Sequence, residues 1–174
     1  MSVDSRRSTA GSRQSVLDDK TVAYVLDTRK PFEDLRQVAA ELAGLLVLAA
    51  AGSTSVTPDH PMLQSAERLF SEAADGLQRV RSTPRARDHH GHLLRASAEI
   101  RTALACARSQ FTRVIPAPEI DEVLTPLRAG YAHLGHASRA LPGFELVSFE
   151  QGCCGASRGQ GTPGVMSRGQ GPPE

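Results

Sequence analysis

The sequence predicts an all-α protein: an antiparallel up-down-up-down four-helix bundle with short extended segments flanking it and disordered termini. Three observations lead there. Apolar residues recur at three- and four-residue intervals in four separate stretches. Proline, glycine and short polar clusters separate those stretches. The chain has no Trp and only 4% aromatic residues, so its core must be mostly Leu, Val and Ala. Such a core suits closely packed helices better than a β-sandwich.

The first helix opens near Pro31 and carries Phe32, Leu35, Val38, Leu42, Leu45 and Ala49 on one stripe. Gly52 and the polar "STSVT" close it. Thr57-Pro58 then reads as an N-cap with proline at the first helical position. The second helix runs through Leu63, Ala66, Leu69, Phe70, Ala73, Leu77 and Val80. "STPRARD" repeats the start signal, and a third helix follows with Leu93, Ala96, Ile100, Ala103, Leu104, Ala107, Phe111 and Val114 on its stripe. "IPAP" breaks it. The fourth helix carries Ile120, Val123, Leu124, Leu127, Tyr131, Leu134 and Leu141. Its apolar register continues across Pro126, which favours one kinked rod over two helices.

Two flanking segments complete the domain. Upstream, Thr21 to Asp27 is a short apolar run, read as a strand or a helical turn packed across the bundle. Downstream, "GFELVSFEQGCC" alternates with a period of two and lies extended against the helices. Residues 1–15 form a Ser/Arg-rich leader without an apolar core, 16–154 the bundle domain, and 155–174 a Gly/Pro-rich tail that repeats "SRGQG".

Charge and composition exclude several roles. Basic and acidic residues nearly cancel, at a formal +1, so the broad basic footprint of a nucleic-acid binder is missing. The longest apolar run, Leu42 to Gly52, falls short of the roughly 20 residues that span a bilayer. Three cysteines, two of them adjacent, make no disulfide framework, and a reducing cytoplasm is the simplest compartment. No phosphate loop and no nucleophile elbow occurs. Without a catalytic constellation, the reading leans away from an enzyme.

Histidine is the one residue type with a suggestive distribution. Of six in the chain, three crowd into "RDHHGHLLR" as His89, His90 and His92. His133 and His136 stand three apart in "HLGH" on the fourth helix. In an up-down bundle the third and fourth helices turn around Ile115 and Pro116, so His92 and His136 come within roughly 5 Å of the same level, given the helical rise. Cys153 and Cys154 begin their course from the same end. Imidazole and thiolate are the ligands of zinc and other borderline-soft metals. His89, His92, His133, His136, Cys153 and Cys154 are therefore the candidate metal ligands, with Zn or another transition metal as the candidate cofactor. The plainer reading makes these histidines half-exposed amphipathic residues, two of them near a helix C-terminus that favours positive charge. No Cys-x-x-Cys, His-Glu-x-x-His or Glu-x-x-His spacing occurs.

Two surfaces suggest partners. Arg79, Arg81, Arg85 and Arg87 could meet an acidic or anionic partner by bidentate contact, or simply end a solvated helix. From Leu42 to Ala51 the first helix is apolar nearly all round, which calls for a central position or a subunit interface. The leading functional expectation is a small, cytoplasmic, non-enzymatic interaction module that forms a homodimer through the first helix. The alternative is a transition-metal-binding bundle.

Overall fold

The computed structural model describes residues 18–112 and 119–146. The leader (1–15), the tail (155–174), and with them Val114, Ile115, Pro116, Cys153 and Cys154, lie outside the described residues. What is described is all-helical, with four α-helices and no strand: α1 Asp19–Ala50, α2 Pro61–Arg79, α3 Arg87–Thr112 and α4 Ile120–Ala140. No helix among the described residues is long and apolar enough to cross a membrane.

α1 corrects the expectation for its N-terminal half. Thr21 to Asp27 is no separate flanking segment but the opening of one 32-residue helix that runs straight through Pro31. Asp18 starts it, its carboxylate accepting from the Thr21 amide at 2.8 Å and from the Thr21 hydroxyl at 3.0 Å. Pro31 supplies no N–H, which costs a helix interior about 3 kcal/mol. Burial on both sides of it outweighs that. Thr21, Tyr24 and Thr28 before it, and Phe32, Leu35 and Val38 after it, all face the core. The Thr28 hydroxyl hides inside by donating to the Tyr24 carbonyl at 2.7 Å. Gly52 ends the helix at φ +75, with the Gly52 amide bonded to the Ala49 carbonyl and the Ser53 amide to the Leu48 carbonyl, each at 3.0 Å. That is a Schellman motif, which needs a left-handed residue.

The other starts follow the proline signals. α2 begins one proline later than the sequence suggests: Pro61 is its first residue and His60 Nδ1 accepts from the Met62 amide at 3.2 Å, while Thr57 accepts a turn bond from the His60 amide. Thr83 caps a 3-10 turn, Pro84–Ala86, that leads directly into α3. α4 is continuous across Pro126. Gln110, buried near the end of α3, accepts from the Glu119 amide at 3.2 Å and donates to Glu122, tying the start of α4 in place.

α1 packs most extensively on α2, and α3 on α4. As numbers rise along one helix of each pair they fall along the other. Lys30 meets Glu72 and Glu41 meets Ser65 across α1 and α2; His92 meets His133 and Gln110 meets Glu122 across α3 and α4. Two glycines permit close approach. A Cβ on Gly76 would lie 2.8 Å from the Pro31 ring, and one on Gly130 would lie 2.8 Å from Ile100. A single core of Leu, Ala, Val and Phe fills the centre, with Phe32, Leu42, Leu63, Leu93, Ile100 and Leu134 fully buried. Beyond α4, Gly143 turns the chain at φ +99 and Phe144 drops into the core, edge-on to Phe32 at 5.2 Å.

Candidate functional site

The histidines fall into two groups. Residues 89 and 92 are three apart on α3, about 60° around its axis. That angle separates their fates. His89 turns into the core and is 1% exposed. Its Nδ1 lies 2.8 Å from the Tyr24 hydroxyl of α1, and its ring packs against Phe144 at 4.1 Å. Its Nε2 is buried with no hydrogen-bond partner in the structure, as is Nδ1 of His90. Burial disfavours the imidazolium, so the His89 pKa falls to about 4, with the charges of His90 and His92 adding to the shift. Burial lowers His90 as well. The Tyr24 phenol is raised by the same desolvation.

His92 faces α4 instead. Its Nδ1 lies 3.3 Å from Nδ1 of His133, with the ring centres 5.5 Å apart. Its ring stacks on His136 at 5.0 Å and 25°, and His133 and His136 are 6.2 Å apart. Three imidazoles from two helices thus share one half-buried seam. His92 is depressed by desolvation first and then by the charges of His136, His133 and Arg95, with Asp88 opposing them. The exposed Arg139 reaches His136 Nδ1 at 3.1 Å.

The structure therefore brings together His92, His133 and His136 from the expected ligand set and sends His89 elsewhere. His89 lies in the core, its Nδ1 on the Tyr24 hydroxyl and its ring packed against Phe144. Cys153 and Cys154 lie outside the described residues. As the rings stand, no group of three or more His, Cys, Asp and Glu side chains among the described residues is arranged to hold a metal ion. Cys106, a free thiol beside the α3 core stripe, is half-buried and remote in sequence from the cluster.

The basic residues occupy the link between α2 and α3. Arg79 closes α2, Arg85 sits in the 3-10 turn, Arg87 opens α3, and with Arg81 all are exposed. Arg85 also helps hold the Asp18 carboxyl below its usual range, after the larger effect of the hydrogen bonds from Thr21.

Sequence reasoning missed a groove. Between α1 and α4 an open, mostly apolar trough of about 680 Å³ runs along Ala39, Ala40 and Ala43 on one side and Leu124, Leu127 and Tyr131 on the other. Arg36, Gln37 and Arg128 line it too. The signal was the run of alanines on α1, whose short side chains leave space where a Leu would fill it. Further along α1, Val47 is 68% exposed and Leu48 37% exposed. Leu42, Leu45 and Leu46 are buried, so only part of the expected apolar surface of α1 is open.

Comparison with protein-family models, with curated proteins and with solved structures found no match.

Proposed function

We propose that the protein is a non-enzymatic, cytoplasmic interaction module whose helices form an up-down-up-down antiparallel bundle and which pairs with a second copy of itself through α1. The inverse numbering of the residues that meet across α1 and α2, and across α3 and α4, supports the topology. One observation supports the pairing above all: Val47, one turn beyond Ala43 along α1, is 68% exposed, and Ala40 and Ala43 line an apolar trough. These residues share one face of α1, at spacings of three, four and seven. Small residues there let a second helix approach closely, and burying such a patch is the usual reason for its presence. An isologous contact of α1 with α1 would place the trough of each copy beside Val47 of the other. Arg79, Arg81, Arg85 and Arg87, exposed in the α2–α3 link, would meet an acidic or anionic partner outside that contact.

Light scattering of the full chain tests the pairing. The mass expected is twice 18.6 kDa, falling to the monomer when Val47 or Ala43 is changed to Glu. Both positions are exposed, so neither change needs to disturb the core. Leu46 is unsuitable as a probe because it is 5% exposed. A monomer at all concentrations, or a dimer indifferent to both changes, would exclude the interface.

A further inference from the structure

The trough between α1 and α4 has walls of Leu124, Leu127, Tyr131 and alanines from both helices. Arg36, Gln37 and Arg128 are its polar members, and no carboxylate lines it. We infer that this trough is a ligand site: it takes the alkyl chain of a medium-chain fatty acid and sets the carboxylate on Arg128. The inference does not rest on pairing through α1, because every lining group belongs to one chain.

Size and lining support a small ligand. Pockets that hold small molecules run to about 300–1,000 Å³, mostly apolar with a few placed polar groups. The trough, at about 680 Å³, has that volume and that make-up. Its length sets the chain. At the helical rise, Arg36 to Ala43 spans about 10 Å of α1, and Leu124 to Ala132 about 12 Å of α4. An extended chain advances about 3.5 Å over three bonds, so roughly ten carbons match that length.

Charge sets the head group. Two of the three polar lining residues are already engaged. Arg36 pairs with Glu33 at 2.7 Å, and the Gln37 amide nitrogen donates to Glu41 at 3.0 Å. Arg128 has no hydrogen bond or ion pair among the described residues. Its neighbours one turn away on α4, Leu124, Thr125, Tyr131 and Ala132, are uncharged. A guanidinium offers a carboxylate two parallel N–H donors, a match that an alcohol or an ammonium lacks. Arg128 is exposed, so the ion pair by itself contributes little. Burial of the alkyl chain supplies most of the affinity, and the guanidinium selects the anion.

The test is calorimetric titration of the full chain with monomeric decanoate at pH 7.5. One decanoate per chain is expected, in the wild type and equally in Val47→Glu, which separates the site from the pairing. Decanol and decyltrimethylammonium, with the same chain length, should bind at least about tenfold more weakly, the scale of a charge-assisted hydrogen bond. Arg128→Gln should weaken decanoate by about the same factor and leave decanol unchanged. Ala40→Trp, a change at an exposed lining residue, should block both ligands while the thermal melt stays near that of the wild type. Absence of saturable binding, decanol as tight as decanoate, or wild-type affinity in Arg128→Gln would each overturn the site. Binding that is lost in Val47→Glu would do so too, by making the second copy part of it.

Discussion

The Tyr24 hydroxyl and His89 Nδ1, 65 positions apart in sequence, meet at 2.8 Å inside the core and join α1 to α3. Their rings stand edge to face, 5.6 Å apart at 85°. The contact makes His89 a reporter of the fold's integrity. Its pKa in the folded chain is about 4, against an ordinary 6.5. The unfolded chain therefore takes up a proton at this residue as pH falls through about 6.5, while the folded chain does not until about 4. Stability associated with His89 is complete above the unfolded value and declines between those limits. Urea midpoints at pH 7.5, 6.0 and 5.0 should fall in that order, and His89→Phe should flatten the decline. Equal slopes for both proteins would show that His89 is not the group responsible.

Removing the phenol oxygen has a separate effect. Tyr24→Phe leaves both nitrogens of a buried imidazole without a partner, since Nε2 already lacks one. An orphaned buried polar group costs about 1–3 kcal/mol, more than the net worth of the bond itself. Chemical denaturation at pH 7.5 should show a loss in that range.

Phe144→Ala tests what shields His89. Phe144 is 3% exposed and packs on both Phe32 and His89. Truncation should cost about 3–5 kcal/mol, as for other buried aromatics. It should also admit water to the imidazole and raise the His89 pKa toward 6.5, readable from an NMR titration. A pKa unmoved by the truncation would place the shielding elsewhere.

Two glycines give opposite expectations. At Gly130 an added methyl would stand 2.8 Å from Ile100, 3.3 Å from Glu99 and 3.4 Å from the Ala96 carbonyl. Gly130→Ala should destabilise by about 1–3 kcal/mol, because two helices must part to admit it. Gly91, in α3, has nothing within 4 Å of the same position. Gly91→Ala should stabilise by about 0.5–1 kcal/mol through helix propensity alone. Thermal melts of the two variants should move in opposite directions.

Most of the helical layout was legible in the chain. The stripes of α2, α3 and α4 were regular enough to read, and Thr83-Pro84 marked the approach to α3 as expected. The start of α1 was not legible, because Tyr24 and Thr28 occupy core positions and hide the apolar period. Pro31 then looked like a beginning. Burial on both sides keeps it inside the helix, and Gly76 on α2 leaves room for its ring; no local pattern carries that information. The α2 start was misplaced for a related reason: Pro58 and Pro61 both follow capping side chains, and packing selects the second. In the site, helical rise alone brought His92 to the level of His133 and His136. The fate of His89 depended on which side of α3 faces Tyr24. That is a fact of three-dimensional packing, and spacing along one helix does not specify it.

The uneven partition of packing among the helices has a mechanical consequence. Each of the pairs α1–α2 and α3–α4 is held more extensively within itself than against the other. Packing between the helices is least extensive along the boundary between these halves, so partial opening there is expected to cost less than unravelling either half. Tyr24, His89 and Phe144 act as a rivet across that boundary, and the alanine-lined trough beside α4 is where it already gapes. Hydrogen exchange should find amides of the two halves released as two blocks, each with its own opening energy.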